Sequence, residues 1–430
     1  MNHNTIIVEK MVNGGYGLAR LTKGSIILLQ NSLPGEKIYL GTIEKRKNTH
    51  FGEVEKILSP HPQRIDPPCP YYHRCGGCDL QHCSYEGQLD IKTQIIKEMF
   101  QGLSSSVSPP LPSPLQFGYR QRIRLQVDKG KIGFFKFRSS EIIPIKACLI
   151  AHPAINRILE ILLERKEFQT LCRNSCQVEL HFNPADETIS LLLYYQRKPR
   201  PNDFATAREL TARVDGLEGL FFKGDSFALV GLENDKGRIL SQRIPANGYA
   251  AFTLSWEIGG FCQVNLLQNC NLIDYVQRVF LSSESHTVLD LFCGMGNFSI
   301  PLAQSAQSLV GVEGQGSSIR CAESNSKAAG LTNTCFIKGA IHDVCRRLLK
   351  EGRKFETTIV DPPRQGLPHL ATDLASLSTR SIIYISCDPA TLVRDIKDLL
   401  KHNFHLVSVQ PVDMFPQTHH IETIAVLEKN

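Results

Sequence analysis

The sequence is most restrictive in what it lacks. No apolar run approaches the roughly 18 residues that a bilayer-spanning helix needs, which argues against an integral membrane protein. The opening residues, Met1-Asn2-His3-Asn4-Thr5, show no basic segment followed by an apolar core, the pattern of a secretory leader. A cytoplasmic protein is therefore expected. Excess charge is scarce too: 48 Lys and Arg against 42 Asp and Glu leave +6, which permits a polyanionic partner without demanding one. Fourteen cysteines in 430 residues are too sparse for the disulfide framework of a small secreted domain. In a reducing compartment they are ligands, reagents or core residues. No stretch calls for an obligate protein partner.

What is present is the composition of a globular protein, 42% apolar and 21% charged, long enough for roughly two to three domains. Residues 1 to 60 alternate short β-like segments, Ile6–Met11, Ser25–Gln30 and Glu36–Leu40, with turn chemistry at Asn13-Gly14-Gly15 and Leu33-Pro34-Gly35-Glu36. Short strands at this spacing predict a small all-β barrel. Lys45, Arg46 and Lys47 add a basic cluster that reads more readily as a solvated turn than as a binding surface,.

Cys69, Cys75 and Cys78 then follow in a C-x5-C-x2-C pattern with Gly76-Gly77 inside the tight pair. The glycines let the backbone fold closely enough for two sulfurs to approach one centre. All-thiolate ligation suits zinc or an iron–sulfur cluster, and the spacing does not choose between them. A fourth ligand is needed. Cys83 is near but precedes an apparent helix, Tyr85 to Phe100, and Cys148 is the remote candidate. Gly102 to Pro114 is rich in Ser and Pro and reads as a linker,. Beyond it, Arg120, Arg122 and Arg124 share one face if their segment is a strand. That face suits RNA phosphates or plain solvent.

From residue 287 the pattern becomes β-α-β. Thr287–Phe292 is a strand breaking into Cys293-Gly294-Met295-Gly296-Asn297. The loop lacks the third glycine of the dinucleotide fingerprint, which favours S-adenosylmethionine (SAM) over NAD. Ser308–Val312 ends in Glu313, placed to hold a ribose diol,. Thr357–Val360 runs into Asp361-Pro362-Pro363-Arg364, a rigid corner that aims a carboxylate at the crevice,. Ser381–Ser386 is an apolar run that stops at Cys387-Asp388-Pro389. A side chain at that strand end faces the ligand crevice of an open α/β sheet. Taken alone, the stretch leaves Cys387 either a reagent or a buried structural thiol.

Together these motifs resemble the RNA uracil-5-methyltransferases of the RumA/RlmD type, iron–sulfur enzymes acting on 23S rRNA. The resemblance covers nearly the whole chain. It is carried by Asn13-Gly14-Gly15-Tyr16-Gly17-Leu18-Ala19-Arg20, the cysteine cluster, Phe261-Cys262-Gln263-Val264-Asn265, Asp290-Leu291-Phe292-Cys293-Gly294-Met295-Gly296-Asn297-Phe298, Asp361-Pro362-Pro363-Arg364, Ser386-Cys387-Asp388-Pro389 and His420-Ile421-Glu422-Thr423. It implies a multidomain α/β chain. A TRAM/OB-like RNA-binding barrel would occupy 1–60 and a central α/β domain with the cluster 61–260. A Rossmann-like SAM-dependent methyltransferase domain would occupy 261–430.

By the same resemblance Cys387 matches the nucleophile and Glu422 the base. Gln263, Phe292, Asn297, Glu313 and Asp361 match positions lining the SAM and target-base pocket, and Cys69, Cys75, Cys78 and Cys148 match the ligands of a [4Fe-4S] cluster. One position departs: the family's polar adenine contact falls on Ala340, with Asp343 nearby. Radical SAM chemistry, which uses C-x3-C-x2-C, does not fit the spacing here. The expected activity is methylation of carbon 5 of a 23S rRNA uridine. A methylase of the tRNA T-loop is the alternative within the class, and a non-catalytic RNA-binding iron–sulfur protein the alternative outside it.

Overall fold

The computed structural model describes residues 5–21, 24–103, 107–233, 235–283 and 286–430. Met1 to Asn4, part of the leader reading, and Ser104 to Ser106, part of the linker reading, lie outside them. The first unit is a closed barrel of β1 (Thr5–Val12), β2 (Tyr16–Arg20), β3 (Ile26–Leu29), β4 (Lys37–Arg46) and β5 (Thr49–Ser59), joined in the order β1-β2-β3-β5-β4. Strand alternation sorts the side chains, so that Ile6, Val8, Ala19, Ile27, Leu29, Ile38 and Leu40 fill the barrel. The turn after β1 depends on Gly14 and Gly15, at φ 99° and 78°, where other residues are strained. Lys45 and Arg46 at the end of β4, with Lys47 beyond it, are exposed.

The cysteine-rich loop leads into α1 (Tyr85–Met99), whose first turn is capped by the Ser84 hydroxyl. Ile91, Ile95 and Ile96 of α1 join the core of the C-terminal sheet. The central unit comprises β6 (Arg122–Asp128), β7 (Lys131–Phe135), β8 (Ile142–Pro144), α2 (Pro153–Glu164), α3 (Lys166–Cys172), β9 (Ser175–Asn183), β10 (Thr188–Tyr195), α4 (Pro201–Arg213), β11 (Leu217–Gly224) and β12 (Phe227–Gly231). Its sheet runs β12-β11-β10-β9-β6-β7-β8, and Ile155, Leu159, Leu171 and Leu210 from its helices complete the core. A hairpin, β13 (Ile239–Ile244) with β14 (Phe252–Glu257), follows. Its Leu240, Leu254 and Trp256 pack with Leu272 and Ile300. The same core takes in Leu192 and Phe221 of the central sheet.

That unit contains α5 (Leu266–Ser282), β15 (Thr287–Leu291), α6 (Ser299–Ala303), β16 (Ser308–Glu313), α7 (Gly316–Ala328), β17 (Thr334–Lys338), α8 (Ile341–Lys350), β18 (Phe355–Val360), α9 (Ala371–Leu377), β19 (Ser378–Ser386), α10 (Pro389–Leu399), β20 (Phe404–Val412) and β21 (Glu422–Lys429). The order is β17-β16-β15-β18-β19-β21-β20. The first five strands are parallel, and β21 lies antiparallel to both its neighbours. Strands covered on both faces by helices are apolar throughout rather than alternating. Accordingly every residue of Ser381–Ser386 is buried.

Where the structure describes the Gly102–Pro114 segment it connects α1 to the central unit without a helix or strand of its own, and it is pinned to a sheet edge. Val107 to Leu111 lies along β20, with the Ser108 N–H donating to the Val409 carbonyl at 3.0 Å and the Leu111 N–H to the Pro411 carbonyl at 2.9 Å. An extended, proline-flanked segment can satisfy a sheet edge with the donors it keeps. Among the described residues no helix is long and apolar enough to cross a membrane.

Candidate active site

Because β15, β16, β18 and β19 are parallel neighbours, their carboxyl ends open on one crevice,. The chain leaves β15 through Phe292 at φ 63°, then Gly294 at 55° and Gly296 at 90°. A bulky residue is held in that left-handed region only where its surroundings enforce it. Glu313, ending β16, clamps the loop: one carboxylate oxygen accepts from the Gly294 N–H at 3.2 Å and the other from the Gln315 N–H at 2.7 Å. Asn297 exchanges two amide hydrogen bonds with Asn269 of α5, at 2.8 and 3.0 Å. Gln263 is buried just ahead of α5, its carbonyl accepting from Gln121 at 2.7 Å.

Cys387 follows β19 directly, where Asp388 caps α10 by accepting from the Ala390 and Thr391 N–H groups. Pro389 at the first helical position forces strand to become helix within two residues,. Glu422 begins β21 and is 3% exposed. The β19–β21 register pairs Ser386 with Thr423. One step further brings Cys387 and Glu422 abreast.

The acids at these strand ends interact. Burial, then the Asp290 carboxylate, pushes Asp361 up to about 7. Burial, then Asp361, pushes Glu422 up to about 8, against the opposing pull of Arg364. Burial and Glu422 together push the Cys387 thiol up to about 11, again opposed by Arg364. Asp290, fully buried, rises to about 7 through burial, although the Ser299 hydroxyl donates to it. A cleft with this many reluctant carboxylates favours a cationic ligand, which would allow them to ionise.

Away from the crevice, Cys69, Cys75, Cys78 and Cys148 line one cavity of about 170 Å³, walled also by Tyr71, Ile123, Phe134 and Ile145. Cys83 is elsewhere, buried in the core that α1 shares with the C-terminal sheet. Among the described residues no group of three or more His, Cys, Asp or Glu side chains is drawn around a single metal ion. Four thiols around one cavity form an all-sulfur donor set of the kind that suits zinc or an iron–sulfur cluster,.

The comparisons with known proteins meet this geometry. Residues 84–430 match the model of the tRNA (uracil-5-)-methyltransferase family. The chain belongs to that family. It is an S-adenosylmethionine-dependent RNA uracil-5-methyltransferase. A Thermotoga maritima protein named as an uncharacterized RNA methyltransferase is 31% identical, with 98% of each chain covered. The 23S rRNA (uracil(1939)-C(5))-methyltransferase RlmD of Vibrio parahaemolyticus is 30% identical, over 100% of this chain and 96% of the relative. The Pyrococcus abyssi tRNA (uracil-54, C5)-methyltransferase, solved with S-adenosyl-L-homocysteine, has a TM-score of 0.75 and 26% identity, covering 99% of this chain and 100% of that one. The resemblance read from the motifs is thereby established, and the reading as a non-catalytic binding protein is set aside.

Several features of this methyltransferase escaped sequence reasoning. Arg364 closes the Asp361-Pro362-Pro363 corner, and its charge bears on both Cys387 and Glu422. Its signal was being a cation next to an acid-proline corner. Asp290, one residue before the end of β15, likewise had no role assigned from sequence. The arginine stripe is largely consumed within the protein: Arg122 donates to the Gly260 carbonyl at 3.0 Å, and Arg124 pairs with Glu179 and lies over Tyr194. Arg120 precedes β6, borders the cysteine cavity and lies over Phe415. Ala340 stands at the N-cap of α8 and Asp343 in its first turn.

Proposed function

We propose that the protein methylates carbon 5 of a specific 23S rRNA uridine through a covalent Cys387–uracil adduct that Glu422 resolves. The observation that carries the reading is the place of Cys387 just past β19 and of Glu422 at the start of β21, each one residue beyond the Ser386–Thr423 pair, with the Glu422 charge bearing on the thiol. A nucleophile and a base have to serve the same ring in succession, and adjacent strands bring them within its width.

Carbon 5 of uracil is a weak nucleophile. The Cys387 thiolate adds to carbon 6, forming a C–S bond and moving the ring electrons into an enolate. Carbon 5 then takes the methyl group of the sulfonium, whose S–CH₃ bond breaks to leave S-adenosylhomocysteine. Glu422 removes the remaining proton at carbon 5. The C–H electrons restore the double bond, and the C–S pair leaves with Cys387. Each hard step is split into easier ones. Gln263, Phe292, Asn297, Glu313 and Asp361 would line the pocket for SAM and the base, Glu313 meeting the ribose diol. Such a pocket is reached only by a base that has left its stack. An RNA loop or remodelled segment, held partly by the barrel, is the corresponding substrate in the cytoplasm.

Cys69, Cys75, Cys78 and Cys148 would hold a [4Fe-4S] cluster with a structural or RNA-shaping role, supported by their common cavity. Methyl transfer through a thiol needs no electron carrier, so no step is assigned to it. The division into barrel, central and methyltransferase domains at about residues 60 and 260 belongs to the same reading. A tRNA T-loop uridine is the second substrate reading, favoured by the Pyrococcus abyssi neighbour.

The test is covalent capture. Protein prepared without oxygen is incubated with SAM and total RNA containing 5-fluorouridine, whose fluorine cannot leave as a proton. A linked peptide containing Cys387 is expected, and the attached oligonucleotide identifies the RNA. A SAM-binding protein that links to no RNA overturns the reading.

A further inference from the structure

The segment between β20 and β21 delivers Glu422, and it is held from outside the sheet. Its early part is pinned by α1: Lys92 pairs with Asp413 at 2.6 Å and donates to the Phe415 carbonyl at 3.2 Å. Gln88 and Gln417 exchange hydrogen bonds at 2.9 and 3.0 Å. Its late part is held by the residues directly following Cys78. The N–H groups of Asp79 and Leu80 both donate to the Gln417 carbonyl at 3.1 Å. The Asp79 carboxylate is hydrogen-bonded to Nδ1 of His419. His419 then lies on His420, ring centres 4.2 Å apart, and Glu422 is two residues on. The barrel closes the same junction, since a Cβ on Gly15 would meet the Asp79 carboxyl at 3.0 Å and the His419 Cβ at 3.2 Å.

We infer that Asp79 and His419 are positioning residues for Glu422, tying the cysteine loop and the barrel turn to the proton-removal step. Glu422 is the first residue of its strand, so its side chain takes its direction from the loop before it as much as from the ladder after it. His419–Asp79 is a side-chain tie between that loop and an element remote in sequence. Cys387 has its own support on β19 and the α10 cap. Loosening the tie therefore displaces the base and leaves the nucleophile where it is. Small displacements of a base are costly, on the order of tenfold to a hundredfold in rate.

This inference rests on the proposed roles of Cys387 and Glu422, and its signature is separable from theirs. With adduct formation intact and resolution slowed, ordinary uridine RNA should accumulate as a methylated covalent complex. A fold-wide defect would lower both steps together.

The experiment compares wild type, His419→Ala, Asp79→Ala and Asp79→Asn on ordinary and fluorouridine RNA, reading protein–RNA adducts on denaturing gels and by mass spectrometry. Fluorouridine capture by the wild type checks the underlying reading independently. For His419→Ala and Asp79→Ala, capture rates on fluorouridine RNA should stay within about twofold of wild type. The methylated adduct on ordinary RNA should persist about tenfold longer or more. Asp79→Asn, which keeps an acceptor for Nδ1–H, should restore most of the resolution rate. Equal slowing of capture and resolution, or no change in adduct lifetime, overturns the inference.

Discussion

Cys387 and Glu422 are brought abreast by the antiparallel register of β19 and β21, one step beyond the Ser386–Thr423 pair. The strand inserted against the direction of its neighbours thus sets a carboxylate beside the thiol at the mouth of a parallel sheet. Burial raises both groups, with Glu422 adding to the rise of the thiol, Asp361 adding to that of Glu422, and Arg364 opposing each.

Removing the thiol should end catalysis without emptying the pocket. Cys387→Ser is expected to lower methylation by about ten-thousandfold while SAM binding stays near wild type. Tritium transfer from labelled SAM and equilibrium dialysis check the two halves.

Removing the base should arrest the reaction later. Glu422→Gln is nearly isosteric and is expected to slow turnover about a hundredfold to ten-thousandfold, with a methylated protein–RNA adduct accumulating. Equal loss of capture on fluorouridine RNA would remove Glu422 from the base role.

Binding of SAM should release protons. Asp290 and Asp361 titrate near 7 and Glu422 near 8 in the free protein. A sulfonium favours their ionised forms and lowers those values. Affinity should therefore rise with pH from about 6 to 8 and then level off. Calorimetry in buffers of different ionisation enthalpy measures the protons; an affinity flat across that window would contradict the expected coupling.

The cysteine cavity makes a selective prediction. Cys69→Ser, Cys75→Ser, Cys78→Ser and Cys148→Ser should each lower iron and sulfide content in anaerobically purified protein, whereas Cys83→Ala should not, because Cys83 lies in another core. Equal iron content across the series would remove the cluster assignment.

Lys92 and Asp413 form a pair that is 1% and 0% exposed. Lys92→Met leaves the carboxylate buried without its cation and should destabilise the protein by about 3–5 kcal/mol. Urea unfolding read at Trp256 measures it, the double variant Lys92→Met with Asp413→Leu recovering most of the loss.

The parts most readable from sequence were those in which a chemical requirement leaves few residue choices. Asp361-Pro362-Pro363 and Cys387-Asp388-Pro389 announced strand ends because proline stops the ladder and acids cap helices, and both stretches sit where expected. The Asn13-Gly14-Gly15 turn was legible for the same reason. Cys148 stood beside Cys83 as a candidate fourth ligand and only resemblance chose it, since nothing in its surroundings links it to residues 69–78 before the chain folds. Lys92–Asp413 and Asp79–His419 were invisible: each joins residues more than 300 apart in sequence, and a lone Lys or His on a helix or loop reads as surface. Proline and serine signalled the absence of regular structure in Val107–Leu111, but not its pinning, because the edge of β20 supplies partners from outside the segment.

That last segment has a consequence for the protein in a crowded cell. An outermost strand normally offers an unfilled row of donors and acceptors on which a foreign chain can add itself. Here Val107 to Leu111 occupies part of that row along Val409 to Val412. A stretch with no secondary structure of its own thus guards the sheet against aggregation while it joins α1 to the central unit.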